Sequence, residues 1–176
     1  MGCTFEGHFS KTPVISIGIL SDTHGQLLPR VKDFLRSADE IWHAGDIGSA
    51  GVADELSGMK PLRAVHGNID GTDIRSRFPE SLLFEVEKLK VFMIHAGGYP
   101  GRYSPQSKKI IKLEKPGLFV CGHSHILKVI YDRKYSLLHI NPGAAGNFGL
   151  HRSVTAVRLK IDGKDIKDLE VLDIPR

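Results

Sequence analysis

Hydrophobic and polar positions along this chain come in blocks whose period changes from one segment to the next. Residues 14–20 read Val-Ile-Ser-Ile-Gly-Ile-Leu, a largely β-branched run bounded by polar turn residues, and predict a buried strand ending at Ser21. Pro29 suits a first helical turn, and Val31, Phe34 and Leu35 carry a helical spacing on to Arg36. A short apolar run at Ile41 and Trp42 leads into Gly45-Asp46, with a helical stretch at 52–56 behind it. Residues 62–65 then predict a third strand, followed by the turn-rich series Gly67-Asn68-Ile69-Asp70-Gly71. Only a short polar connection separates the apolar runs 81–86 and 90–94, so they predict a hairpin, and His95 follows at once. Residues 96–104 read as a loop, Pro105 opens a helix through Leu113, and 118–121 form a buried strand. Strands at 126–131, 135–140, 154–161 and 165–172 complete the pattern. Strand-helix alternation first and consecutive strands later predict an α/β fold of two packed sheets flanked by helices, not one doubly wound sheet.

Composition narrows the picture. With 176 residues, 41% of them hydrophobic, the chain can bury a real core but is short for two ordinary domains. One domain, 14–176, is expected behind a flexible N-terminal extension, 1–13. The net charge of +4 is spread over 24 basic and 20 acidic residues without a block of like charge, which argues against a nucleic-acid partner. The densest basic group, Lys108, Lys109, Lys112 and Lys115, suits a solvated helix face. Cys3 and Cys121 do not resemble a disulfide framework or a zinc ribbon, so a reducing cytoplasm is the expected compartment. The apolar stretches are too short to span a membrane, no charged-then-apolar leader precedes them, and Glu6 stands where a myristoylation signal needs Ser or Thr.

The chemistry sits at strand ends. Asp22-Thr23-His24, Gly45-Asp46, Gly67-Asn68, His95 and Gly122-His123-Ser124-His125 each come directly after an apolar strand. In open α/β sheets ligands bind beyond the carboxyl ends of the strands, so separate strands would deliver these side chains to one edge. Imidazole suits zinc, iron, nickel and manganese, while carboxylate and amide oxygens favour harder ions. The set exceeds what one tetrahedral ion can use, and two ions sharing a bridging carboxylate account for it most economically.

The ordered series Asp-x-His, Gly-Asp, Gly-Asn, His and Gly-His-x-His resembles the calcineurin-like metallophosphoesterases, over residues 15–147. The Gly67-Asn68-Ile69-Asp70 form and the Ile140-Asn141-Pro142-Gly143 segment are similar to the small single-domain phosphodiesterase branch. The resemblance implies a four-layer sandwich of two facing mixed β-sheets flanked by helices. It also implies that Asp22, His24 and His125 hold one divalent ion, that Asn68, His95 and His123 hold the other and serve catalysis, and that Asp46 bridges them. Manganese is expected from the mixed ligands, with iron, nickel and zinc as alternatives. Two divalent ions against two carboxylates leave a centre of roughly +2, suited to a phosphate-ester small molecule whose P–O bond is hydrolysed by a metal-bridging hydroxide. Many larger relatives carry His directly after the Asn, where it can protonate the leaving oxygen. Ile69 cannot do so, which points to diesters or activated esters with good leaving groups.

Other polar residues carry plainer expectations. Asp70 and Asn141 read as turn formers, with support of the metal site the lesser reading for Asp70. His43, His66, His139 and His151 read as structural histidines bonded to backbone, His151 with Arg152 also lying where substrate could approach, and His8 belongs to the extension. Arg102 is a candidate phosphate clamp on the 96–104 loop. The main rival function is a non-catalytic protein-interaction scaffold, since a retromer subunit shares this fold and the Asn-Pro-Gly segment. That subunit has lost some of the usual histidines, whereas all seven positions are filled here. A nuclease of the same class would need a basic stripe that the sequence lacks, and the sequence leaves a homo-oligomer open.

Overall fold

The computed structural model describes residues 14–176, so the extension expected at 1–13 lies outside the described residues. In chain order the elements are β1 (Ile15–Leu20), α1 (Pro29–Leu35), β2 (Glu40–His43), α2 (Ala50–Met59), β3 (Leu62–Ala64), α3 (Thr72–Arg77), β4 (Ser81–Val86) and β5 (Leu89–Ile94). There follow β6 (Gly98–Tyr99), β7 (Arg102–Tyr103), α4 (Pro105–Glu114), β8 (Leu118–Val120), β9 (Leu127–Asp132), β10 (Leu137–Pro142), β11 (Ser153–Asp162) and β12 (Asp165–Pro175). One five-stranded sheet runs β12-β11-β1-β2-β3 and the other β4-β5-β8-β10-β9. Within each, three adjacent strands are parallel: β1, β2 and β3 in the first, β5, β8 and β10 in the second.

Side-chain alternation along these strands builds the layers. Ile17 and Ile19 of β1, Val91 and Met93 of β5, and Leu118 and Val120 of β8 point into a core between the sheets, joined by Trp42 and Ile140. The opposite faces are apolar too. Leu20 and Ile41 pack with Val31, Leu35, Val52 and Leu56 of α1 and α2, while Phe92, Ile94 and Phe119 pack with Ile111 of α4. A strand buried on both faces must be apolar at consecutive positions, which is why residues 91–94 of β5 and Leu118–Val120 of β8 read as unbroken hydrophobic runs. The architecture is the expected α/β sandwich of two facing mixed sheets with helices outside.

Two elements depart from the sequence reading. Residues 72–77, beyond the Gly67-Gly71 turn formers, make the short helix α3, held by burial of Ile74 and by a bond from the Phe78 N–H to the Ile74 carbonyl of 2.9 Å. Part of the expected 96–104 loop is the small hairpin β6-β7.

Candidate metal centre

The parallel strands β1, β2 and β3 of one sheet and β5 and β8 of the other end at the same edge, and the loops that leave them are laced together. The Asp22 and His24 N–H groups donate to the Gly45 and Asp46 carbonyls, and the Gly122 N–H donates to the His95 carbonyl, each at 3.0 Å. All seven sequence-derived candidates are thereby brought together. Asp22 Oδ1 lies 3.3 Å from His125 Nε2 and 4.0 Å from both His24 Nε2 and His95 Nε2. Asp46 Oδ2 lies 3.3 Å from His95 Nε2 and 3.9 Å from His24 Nε2. Asn68 Oδ1 is 2.9 Å from His123 Nδ1 and 3.1 Å from His95 Nε2. Two overlapping groups, Asp22-His24-His125 and Asp22-Asp46-His95, each bring their donor atoms within 4.8 Å of one another.

The electrostatics are those of a cation site. Asp22 is fully buried, and its Oδ1 has no aligned hydrogen-bond donor among the described residues, a costly state for a carboxylate oxygen. Its Oδ2 accepts from the His123 N–H at 3.1 Å, so the carboxylate is pinned with one oxygen facing the imidazoles. His95 Nδ1–H donates to the Ala44 carbonyl at 2.8 Å, which leaves the Nε2 lone pair facing the Asp46 carboxylate and the Asn68 amide. Burial opposes protonation of His95, yet the Asp46 hydrogen bond and the Asp22 and Asp46 charges hold its pKa above the ordinary histidine value. The adjacent Asp22 carboxylate does the same for His125 against partial burial. Burial raises the Asp46 pKa, but contact with His95 more than offsets this and holds it below the usual carboxylate value.

The backbone is unusual at the same residues. Asp22, His24, Asp46, His123 and His125 have φ between 47° and 69°, the left-handed region that non-glycine residues rarely adopt. Such conformations cost of order 1 kcal/mol each and gather where function over-determines the fold. Two motif glycines are set by close approach. A Cβ on Gly67 would overlap the Asp46 carboxylate, and one on Gly122 would overlap the Ser21 hydroxyl.

Several supporting residues were not legible as such. Asp70 is buried and accepts from the Ile47 N–H at 3.2 Å, the Gly48 N–H at 2.7 Å and the Gly67 N–H at 2.7 Å, tying the Asp46 loop to the Asn68 loop. Arg75, on the unexpected α3, donates to the carbonyls of Gly67, Asn68 and Asp70. Asn141 donates to the Gly122 carbonyl at 2.7 Å and to the Ser124 hydroxyl at 3.1 Å, which holds the turn carrying His123. His43 accepts the Gly45 N–H at Nδ1, so its Nε2–H donates to the Thr23 hydroxyl, which donates to the Ile47 carbonyl. Burial lowers the His43 pKa to about 4, so this relay stays neutral. Asp70 and Asn141 lie inside the 67–70 and 140–143 segments already singled out, whereas for Arg75 and His43 the only sequence signal was proximity to the motifs.

The remaining candidates fall differently. His151 donates through Nε2 to the Gly146 carbonyl at 2.9 Å, as a structural histidine should, and its ring lies 5.2 Å from that of His125. Phe148, on the same loop and exposed, lies 4.9 Å from the His24 ring. Arg102 is exposed on β7 and bonds none of the candidate ligands. His139 departs from expectation: it is 1% exposed, yet neither ring nitrogen has a hydrogen-bond partner among the described residues. Two hollows flank the centre. One of about 460 Å³ borders Asn68, His95, Arg75 and Ser104, and one of about 220 Å³ borders His123, Lys128 and His139.

Residues 15–164 match the calcineurin-like phosphoesterase superfamily domain, and the chain belongs to that family. It is 32% identical over 164 residues to a probable metallophosphoesterase from Methanothermobacter thermautotrophicus, covering 89% of this chain and 91% of the relative. Among solved structures, an archaeal phosphodiesterase superposes with a TM-score of 0.70 at 24% identity, over 90% of this chain and 100% of that one. The zinc complex of Vps29 from Entamoeba histolytica superposes with a TM-score of 0.70 at 15% identity, over 90% and 99%. No helix among the described residues is long and apolar enough to cross a membrane.

Proposed function

We propose that this protein is a metal-dependent phosphodiesterase with a dinuclear centre, in which Asp22, His24 and His125 hold one ion, Asn68, His95 and His123 the other, and Asp46 bridges both. The observation that carries this reading is the buried Asp22 Oδ1, without an aligned hydrogen-bond donor among the described residues and facing three imidazoles at 3.3–4.0 Å. Such packing of acceptors is stable only with protons or cations between them, and this donor set suits manganese, with iron, nickel and zinc as competitors. Bound divalent ions would supply Lewis-acid polarisation of the phosphoryl oxygens and a lowered pKa for water. Asn68 offers a neutral oxygen, so the centre keeps the positive charge that draws in phosphate. His95, with Nδ1–H fixed on Ala44, presents Nε2 in one orientation, and His123 presents its ring opposite the Asn68 amide.

Diesters are favoured over monoesters on two grounds. Ile69, whose own N–H donates to Asp46 Oδ1 at 3.1 Å, offers no proton to a poor leaving group. Two hollows also flank the centre, matching the two organic arms of a diester. A free, buried Cys121, its pKa pushed up to about 12 by burial, suits the reducing cytoplasm in which we place the protein. The test is hydrolysis of bis-p-nitrophenyl phosphate by protein stripped with chelator and refilled with each metal in turn. Turnover should vanish on stripping and return with manganese. Full turnover after stripping overturns the metal reading, and no turnover with any metal favours a scaffold.

A further inference from the structure

We propose that the hollow beside His123, between the 96–99 turn and strands β9 and β10, receives one planar, hydrogen-bonding ring of the organic arm of the substrate, such as a nucleobase, read at its edge by His139. This rests on the phosphodiesterase reading and names what that site selects. A buried imidazole with both nitrogens unpaired is costly unless something else satisfies them, and His139 is such a group at the wall of a cavity. Its ring is held from behind, stacked on Phe119 at 5.4 Å and 27°, with Tyr103 at 6.0 Å. Burial keeps it neutral, with a pKa of about 4, so it offers one N–H donor and one lone pair instead of a charge.

The hollow has the size and walls for such a ring. A dry cavity of about 150 Å³ accommodates benzene, and about 220 Å³ leaves room for a substituted or fused ring. Tyr99 supplies an aromatic face, and Lys128 Nζ, 4.3 Å from the centre of that face, adds a second donor. Ile126, 62% exposed, gives an apolar contact at the opening. Because His123 borders the same hollow, an arm leaving a phosphate at the centre enters it directly.

Isothermal titration calorimetry on manganese-loaded protein separates this arm from the phosphate, using inorganic phosphate and thymidine 5′-monophosphate as probes. The nucleotide should bind at least about tenfold tighter than phosphate, the worth of one or two buried hydrogen bonds plus ring contact. His139→Phe, which keeps a flat ring and removes both nitrogens, and Ile126→Trp, which fills the opening from a solvent-exposed position, should each erase most of that ratio. Both should leave phosphate binding within about twofold, since neither residue belongs to the centre. Equal affinities for the two probes, or an unchanged ratio in a folded variant, overturns the proposal, as does a parallel loss for phosphate. Ile126→Trp decides the matter if His139→Phe fails to fold. Absence of turnover on bis-p-nitrophenyl phosphate would sink the phosphodiesterase reading alone, because the binding ratio is measured without catalysis.

Discussion

Replacing Asp70 by Asn preserves the shape of the side chain and changes one oxygen into an N–H donor, in a place where three backbone N–H groups converge. Oδ2 takes the Ile47 and Gly67 N–H groups and Oδ1 takes that of Gly48. The best orientation of the amide keeps its oxygen on Ile47 and Gly67 and turns its NH₂ toward Gly48, donor against donor. One charge-assisted bond worth about 1.5–3 kcal/mol is then lost, and the other two each fall by about 1 kcal/mol to neutral strength. Together these amount to about 3.5–5 kcal/mol; with about 2–4 °C of melting temperature per kcal/mol for a domain of this size, a fall of roughly 7–20 °C follows. The measurement is thermal unfolding in excess chelator, so that metal binding does not mask the change, followed by manganese titration of the folded variant. Affinity should fall at least about tenfold, in the range seen when outer-shell partners of metal ligands are mutated. A melting temperature within about 1 °C of the parent, with unchanged manganese affinity, would show that Asp70 is only a turn former.

Further outcomes follow from the site. Because His95 and His125 are held above the ordinary histidine range, metal must displace their protons, so manganese affinity should rise with pH and binding should release protons; a flat affinity between about pH 6 and 9 counts against this. In metal-free protein the same pairings contribute fully below the unfolded histidine value of about 6.5 and are lost as pH rises through the raised folded values. The depressed Asp46 contributes above the usual carboxylate value and is lost as pH falls through its folded value, while His43 and His139, held neutral by burial down to about 4, cost stability as pH falls below about 6.5, so chelated protein should be most stable near that pH, which melts across pH will show. Gly67→Ala should cost most of the metal affinity by driving a methyl into the Asp46 carboxylate, whereas Gly58→Ala, in α2 with nothing near its Cβ, should stabilise by about 0.5–1 kcal/mol in denaturant melts. Asn68→Asp adds a negative charge at the centre and should weaken inorganic phosphate in calorimetry; tighter binding would refute the charge argument. Ile69→His should raise alkyl monoester turnover relative to aryl diester turnover by up to the ~10²–10⁴-fold typical of a proton donor, and an unchanged ratio would remove Ile69 as the reason for diester preference.

The sequence by itself determined the strands that carry the candidate ligands and, to within a residue or so, where they end. Apolar runs announce strands covered on both faces, and polar residues can follow them only at the sheet edge, so Asp22, His24, Asp46, Asn68, His95, His123 and His125 could be placed at one rim from their position after the strands. Period and polarity are local properties, and they survive without knowledge of the fold. Only the tertiary structure decided how those residues are held. Asp70 looks like any turn former until three N–H groups from two loops are found pointing at it, and Arg75 acquires a role only because α3 turns it back on the 67–70 carbonyls. His139 looks like any strand histidine until its two nitrogens are seen to lack partners. Hydrogen bonding depends on direction and on neighbours distant in sequence, and burial depends on every layer at once, so neither is written in the local alternation of the chain.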